Sequence, residues 1–182
     1  GMTEEKNHEG LLVAFGEVRR RYPRARLVLC GDGPLRGRIA ASLDREGLGE
    51  SVHMLGELSD AADLIGGADL LVLSSHVEGV PGVVLEASAR GIPTVSTDVG
   101  GVAEAVRDGE TGLLVAPGDM AALAEAAATL IADESQRARL GAAARRLVRQ
   151  HHDLDRSVDR FLDVYRSLQP SPARARNRNG SA

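Results

Sequence analysis

Apolar residues recur along this chain in two rhythms, and the alternation between them sets the expected architecture. Leu11, Leu12, Phe15 and Val18 fall at the three-to-four spacing of one helix face, so residues 9–21 read as a helix that Tyr22-Pro23 stops. Short continuous apolar runs at residues 26–30, 52–56, 70–73, 94–96 and 112–115 read as buried strands. Between them the helical rhythm returns at 35–46, with Pro34 suited to the first helical position, and at 60–65, capped by Ser59 or Asp60. It returns again at 83–90, at a short helix opened by Gly100-Gly101 and closing at Val106, and at 120–132, 134–150 and 154–168. Strands alternating with helices predict an α/β fold: a doubly wound, mostly parallel Rossmann-like sheet with helices on both faces. In such sheets ligands bind beyond the carboxyl ends of the strands, and the loops after Cys30, Met54, Leu73 and Ser96 gather there.

Composition narrows the chemistry. Apolar residues make up 43% of the chain but aromatics only 2%, with no Trp, so the core is built from Val, Leu, Ile and Ala. Scarce aromatics and a formal net charge of -4 argue against a nucleic-acid surface. The single cysteine, Cys30, excludes an internal disulfide, and its place in an apolar run predicts a buried thiol. No signal peptide or membrane-length apolar run is present, so a cytoplasmic chain is expected, peripheral at most to a membrane. Gly1 before Met2 reads as a cloning remnant, and the Pro, Ser, Asn and Arg of residues 170–182 as a disordered tail.

The stretch Ser74-Ser75-His76-Val77-Glu78-Gly79-Val80-Pro81-Gly82-Val83-Val84-Leu85-Glu86-Ala87 carries the candidate chemistry. A strand ends in two serines, a Gly/Pro loop follows, and a helix opens with Glu86 in its first turn. Such a helix N-terminus offers unpaired N–H groups and the positive end of a dipole to a phosphate, here from Gly82, Val83 and Val84. A ribose one turn further along meets Glu86, while Glu78 approaches the same anion from the loop. Gly31-Asp32-Gly33 with Gly37 is one residue too long for a dinucleotide fingerprint, and no acid ends the next strand, which argues against NAD. Asp153-Leu154-Asp155 reads as a helix cap, His151-His152 as a helix junction and His53 as structural, so no metal site is expected.

Further segments join this stretch. They are Glu5-Lys6-Asn7-His8-Glu9-Gly10-Leu11-Leu12, Leu29-Cys30-Gly31-Asp32-Gly33-Pro34-Leu35, Gly91-Ile92-Pro93-Thr94-Val95-Ser96-Thr97-Asp98-Val99-Gly100-Gly101, and the Asp108-Gly109-Glu110-Thr111-Gly112-Leu113-Leu114-Val115 run. Together with the Glu78/Glu86 pair they resemble the carboxyl-terminal, donor-binding half of retaining two-domain glycosyltransferases of group 1 (family 4), which have the GT-B fold. The likeness spans residues 3–168, and the domain is expected over 3–169. It implies that Glu86 binds the donor ribose, Glu78 contacts the donor sugar, and the amides at Gly82, Val83 and Val84 hold the diphosphate. It implies that Lys6, the only lysine, neutralises the departing diphosphate. Gly31 and Gly33, by themselves equally readable as turn geometry, are expected to line the donor site as well, and the resemblance implies that Leu55 borders the base pocket. The nucleotide sugar, UDP- or GDP-linked, is a substrate, and no cofactor is implied.

Two departures from the family pattern stand out. Asn7 replaces a usual glycine, and Gly1 stands where the family carries an arginine at the end of the domain's first strand. The sheet is therefore expected to lack its first, central strand, with a second, intertwined copy of the chain as one filler of the gap. The amino-terminal domain that binds the acceptor in such enzymes is also expected to be absent. Inactivity of the chain alone is expected, and its last helix, which in the family crosses to that domain, is expected to stay partly exposed at Leu154, Phe161, Leu162, Val164 and Tyr165. Two other functions fit the residues: a non-catalytic nucleotide-sugar module working with a partner chain, and half of an epimerase acting on a UDP-sugar.

Overall fold

A single 3-10 turn (Glu4–Lys6) leads into helix α1 (His8–Arg21) in the computed structural model, which describes residues 1–58, 61–151 and 154–168. Between the two, Asn7 adopts φ 49° and ψ 48°, the left-handed region, and its side-chain oxygen accepts from the Gly10 amide at 3.1 Å. Asparagine is among the few residues that tolerate this conformation, and here its side chain also caps the helix. That is why it can stand where related sequences carry glycine. The remaining elements follow in order: β1 (Leu27–Cys30), α2 (Arg36–Arg45), β2 (Val52–Gly56), α3 (Ala61–Gly66), β3 (Leu71–Leu73), α4 (Gly82–Arg90) and β4 (Thr94–Thr97). The chain continues through α5 (Val102–Ala105), β5 (Gly112–Val115), α6 (Met120–Ala132), α7 (Glu134–His151) and α8 (Leu154–Leu168). The expected caps at Ser59, Asp60 and Asp153, His152 and the tail over 170–182 lie outside the described residues.

All described strand pairs are parallel, but they form two sheets rather than one: β1 with β2, and β3, β4 and β5 in that order. Strand alternation divides the side chains of the larger sheet cleanly. Val72, Val95, Leu113 and Val115 join a core built with α1 and α6, whereas Leu71, Leu73 and Leu114 join Val84, Val99, Val102, Ala105 and Val106 on the opposite face. The same first core continues under the smaller sheet through Leu27, Leu29, Val52 and Met54. The other face of that sheet is open, with Val28, Cys30, His53 and Leu55 all exposed. The expected burial of Cys30 is thus corrected. An unbroken apolar run reads as a strand covered on both sides, but the alternation of β1 turns Leu29 inward and Cys30 outward.

The edges between the two sheets follow from hydrogen-bond parity. Leu27 and Gly31 donate to Ser51 and Gly56 on the β2 side, so Val28, Cys30 and Asp32 turn their backbone groups the other way. Leu71 donates to Pro93 on the β4 side, so Val72, Ser74 and His76 face away from β4. At the carboxyl ends of these two open edges the amino-terminal residues intervene. The Met2 amide donates to the Asp32 carbonyl at 2.9 Å, and the His76 amide donates to the Glu5 carbonyl at 2.7 Å. Further back, no strand joins β1 to β3 among the described residues, in keeping with the central strand expected to be missing.

Helix α8 is exposed along Val158, Phe161, Leu162, Val164, Tyr165 and Leu168; Phe161, Leu162, Val164 and Tyr165 are among the residues expected to be so, and the side chain of Leu154 lies outside those described. Among the described residues no helix is long and apolar enough to cross a membrane. Elsewhere small residues let helices close on one another. A Cβ built on Gly141 of α7 falls 1.8 Å from the carbonyl oxygen of Gly91, the residue that ends α4 in a left-handed turn at φ 78°. Gly141→Ala must therefore push α7 off α4. Overpacking of this kind costs about 1–3 kcal/mol, so the melting temperature should fall by roughly 2–10 °C, and an unchanged melt in scanning calorimetry would rule out this packing.

Candidate functional site

The loop after β3 is organised by hydroxyl groups. Ser74 and Ser75 are buried where the strand runs out, and each has a specific task. Ser74 Oγ donates to the carbonyls of Lys6 and Asn7, both at 3.0 Å, which pins the turn between the 3-10 segment and α1. Ser75 Oγ donates to Glu78 Oε1 at 2.7 Å, and the Ser75 carbonyl accepts from Thr97 Oγ1 at 2.7 Å. Thr97 is itself fully buried at the end of β4. The loop after β4 then closes from above. Gly100 has φ 53°, and a Cβ there would sit 1.8 Å from the Glu78 carbonyl oxygen, while the Gly101 amide donates to that oxygen at 3.3 Å.

Into this frame Lys6 projects from across the sheet edge. Its Nζ lies 2.8 Å from both carboxylate oxygens of Glu78, a residue 72 positions away. The Glu78 side chain is only 8% exposed and that of Lys6 35%. Three positions past Glu78, Pro81 caps α4 without a side-chain hydrogen bond, so the first amides of the helix depend on other partners. The Val84 amide donates to the Pro81 carbonyl at 3.0 Å and is taken. Gly82 and Val83 are left as the amides directed off the helix end, so the expected trio narrows to two.

Glu86 lies in the second turn of α4, because the helix begins at Gly82 rather than after it. It is exposed, on the same side as Gly82 and opposite the buried Val84, Ala87 and Ser88, and makes no ion pair or hydrogen bond among the described residues. The glycines after β1 are occupied. The Gly31 amide donates to Gly56 at 2.7 Å, and the Gly33 amide to Asp32 Oδ1 at 2.7 Å. A Cβ on Gly33 would lie 2.6 Å from the Met2 carbonyl oxygen, so this glycine serves close backbone packing. Leu55 is exposed on β2, and beside the following Gly56 lies Arg36 Nη1, buried with no hydrogen-bond partner. The structure thus unites Lys6 with Glu78, three residues before the cap of α4, while Glu86, Leu55, Gly31 and Gly33 form no hydrogen bond or ion pair with either of them among the described residues. Sequence reading missed Ser74, Ser75, Thr97, Gly100 and Arg36. The only advance signal was the polar end of an otherwise apolar strand.

A side cleft of about 240 Å³ opens next to Lys6, lined by Glu4, Asn7, His8, Glu9, Leu35, Arg38, Ile39 and His76. Arg38 joins its two acids, pairing with Glu4 at 2.8 Å and with Glu9. His8 Nδ1 is buried without a partner. Burial first, then the charges of the chain's amino terminus and of Lys6, hold the His8 imidazole below its ordinary value. Among the described residues no group of three or more His, Cys, Asp or Glu side chains could hold a metal ion.

Comparison with known proteins supplies an independent view. The family model described as glycosyl transferases group 1 matches residues 2–147. The N-acetyl-alpha-D-glucosaminyl L-malate synthase of Bacillus anthracis is 33% identical over 141 residues, covering 78% of this chain and 37% of that protein. Among solved structures, Anabaena HepE in complex with UDP-glucose superposes with a TM-score of 0.86 at 26% identity, covering 92% of this chain and 47% of the other. The sucrose-phosphate synthase of Thermosynechococcus elongatus gives a TM-score of 0.83 at 30% identity, over 91% of this chain and 43% of that one. The chain spans less than half the length of each of these relatives.

The His8 environment makes a pH prediction. A folded-state value below that of the unfolded chain means that the unfolded state binds the extra proton, so the stabilisation is complete above the unfolded value near 6.5 and is lost as pH falls below it. Denaturant midpoints should decline on going from about pH 7.5 to about pH 5.5, and His8→Gln should flatten that decline. Equal declines in both proteins would remove His8 as the cause.

Proposed function

Since the chain belongs to the group 1 glycosyl transferases, matched over residues 2–147, we propose that it is the nucleotide-sugar-binding half of a retaining enzyme that transfers a hexose-type sugar to an acceptor. The observation that carries this reading is the meeting of the Lys6 ammonium and the Glu78 carboxylate three residues before the cap of α4. A cation, two unengaged amides and a helix dipole form an anion site of the kind that stabilises a departing diphosphate. In this reading Gly82 and Val83 hold the diphosphate and Lys6 neutralises the charge that gathers on it as the sugar leaves. Glu78 accepts from the sugar's hydroxyls.

Glu86 fits the ribose, because one helical turn, about 5.4 Å, separates it from the Gly82 amide on the same side of α4. Leu55 and the unpartnered Arg36 border the base. The UDP-glucose complex of HepE favours a UDP-linked donor over a GDP-linked one. The donor is the substrate, and the reading routes no step through a metal or cofactor. The domain is taken as residues 3–169. The chain spans less than half the length of these relatives, and acceptor binding is assigned to a second domain, so residues 3–169 are proposed to bind donor without transferring it by themselves.

Calorimetric titration with UDP, GDP and ADP tests the reading. UDP should bind, Glu86→Ala and Lys6→Ala should each weaken it by roughly tenfold or more, and UDP-glucose should be recovered intact. No binding by any nucleotide, or binding indifferent to both substitutions, would end the proposal. The open edges of β1 and β3 carry a companion proposal: a second copy of the chain adds a strand there. Sedimentation at micromolar concentrations should then show a dimer, and a monomer with a cooperative melt would exclude it.

A further inference from the structure

The two contacts between Lys6 and Glu78 conflict with the tasks given to both residues. The ammonium nitrogen lies 2.8 Å from both oxygens of one carboxylate, so the charge of Lys6 is centred on Glu78. The carboxylate in turn accepts from Lys6 through both oxygens and from Ser75 through Oε1. In this arrangement Lys6 neutralises Glu78, not a phosphate, and Glu78 has little capacity left for a sugar hydroxyl. Opening of this ion pair would make both residues fully available for their proposed roles.

The surroundings determine how it can open. The backbone on the lysine side is pinned by Ser74 on the Lys6 and Asn7 carbonyls and by the His76 amide on Glu5. The carboxylate side is anchored by Ser75, itself held by Thr97, and its main chain is clamped between Gly100 and Gly101. What remains free to move is the flexible side chain of Lys6, which is about one-third exposed whereas that of Glu78 is buried. The exchange is therefore a swing of one side chain and needs no loop movement.

We propose that the Lys6–Glu78 ion pair is an exchangeable latch that makes the site select a sugar-bearing nucleotide over a bare nucleoside diphosphate. This rests on the donor-binding reading given above. When a diphosphate engages the α4 N-terminus, the ammonium transfers from the carboxylate to the phosphate oxygens. Ser75 retains Glu78 by Oε1, and Oε2 is freed to accept from a hydroxyl of the donor's sugar. A nucleotide that carries the sugar replaces the interaction that Glu78 loses. A nucleoside diphosphate alone breaks the pair and leaves a buried carboxylate without its cation. Ser75 is thus a positioning residue, acting on the sugar through Glu78.

The test is a double-mutant cycle read by calorimetry with UDP and UDP-glucose. Glu78→Gln removes the competing charge, so UDP should bind roughly five- to twentyfold more tightly, and the preference for UDP-glucose over UDP should shrink. In a Lys6→Met background the same Glu78→Gln change should leave UDP affinity within about twofold. Ser75→Ala should weaken UDP-glucose while sparing UDP, and Ser75→Thr should restore it. Weaker or unchanged UDP binding by Glu78→Gln overturns the latch. So does equal tightening with and without Lys6, which would be plain repulsion between carboxylate and phosphate.

A readout on the unsubstituted chain covers the case in which a variant does not fold. Lys6 is the only lysine, so selective 13C-lysine labelling gives one lysine Cε signal. That signal should move on adding UDP, and a static signal in a chain that binds UDP overturns the latch while leaving the donor-binding reading intact. Absence of binding by UDP, GDP and ADP alike to the unsubstituted chain rejects both.

Discussion

Two sheets that share no ladder are tied together by the hydrogen bonds of residues 2–7. Met2 joins the loop after β1, Glu5 joins the loop after β3, and Ser74 grips the Lys6 and Asn7 carbonyls. A common core under α1 and α6 supports both sheets from below, but burial is not directional and cannot set one strand end against another. The amino-terminal bonds can. They bring the carboxyl ends of β1 and β3 to one edge and deliver the only lysine of the chain to a carboxylate 72 residues away. The placement of Lys6 is therefore a by-product of the contacts that hold the halves in register.

Much of the architecture was readable before any coordinates, and for a simple reason. Helix and strand periodicities differ, the chain switches between them at Gly and Pro, and each switch marks an element. What could not be read were properties that depend on neighbours. Cys30 sits in an unbroken apolar run, and only the absence of a covering layer on that face exposes it. Val84 was expected to offer its amide, but the first turn of α4 tightens and uses it. The start of α4 at Gly82 moved Glu86 into the second turn, a shift within the usual uncertainty of helix ends.

The site shows the same division. The loop-to-helix pattern placed Glu78 and Glu86 around one anion site, whereas the sugar contact of Glu78 and the meaning of Lys6 came from family likeness. The buried hydroxyls of Ser74, Ser75 and Thr97 are ordinary polar residues in the sequence, and their importance appears only once their partners are known. Gly100 shows this most clearly. Its positive φ could have been guessed from a Gly-Gly pair, but its closeness to the Glu78 carbonyl is a long-range fact that no local pattern encodes.

Parallel strands give the molecule a polarity of use. The groups considered above lie where strands end, whereas the turns at residues 22–26, 48–51, 67–70, 91–93 and 108–111 lie where strands begin. The turn before β5 is typical: exposed around Gly109 at φ 69°, with Asp108 accepting from the Leu114 amide at 2.9 Å. An affinity handle or a tether grafted between Gly109 and Glu110 would anchor the protein by its inert end and leave the opposite edge facing solution. The parallel winding that concentrates chemistry on one rim thus supplies an attachment point on the other.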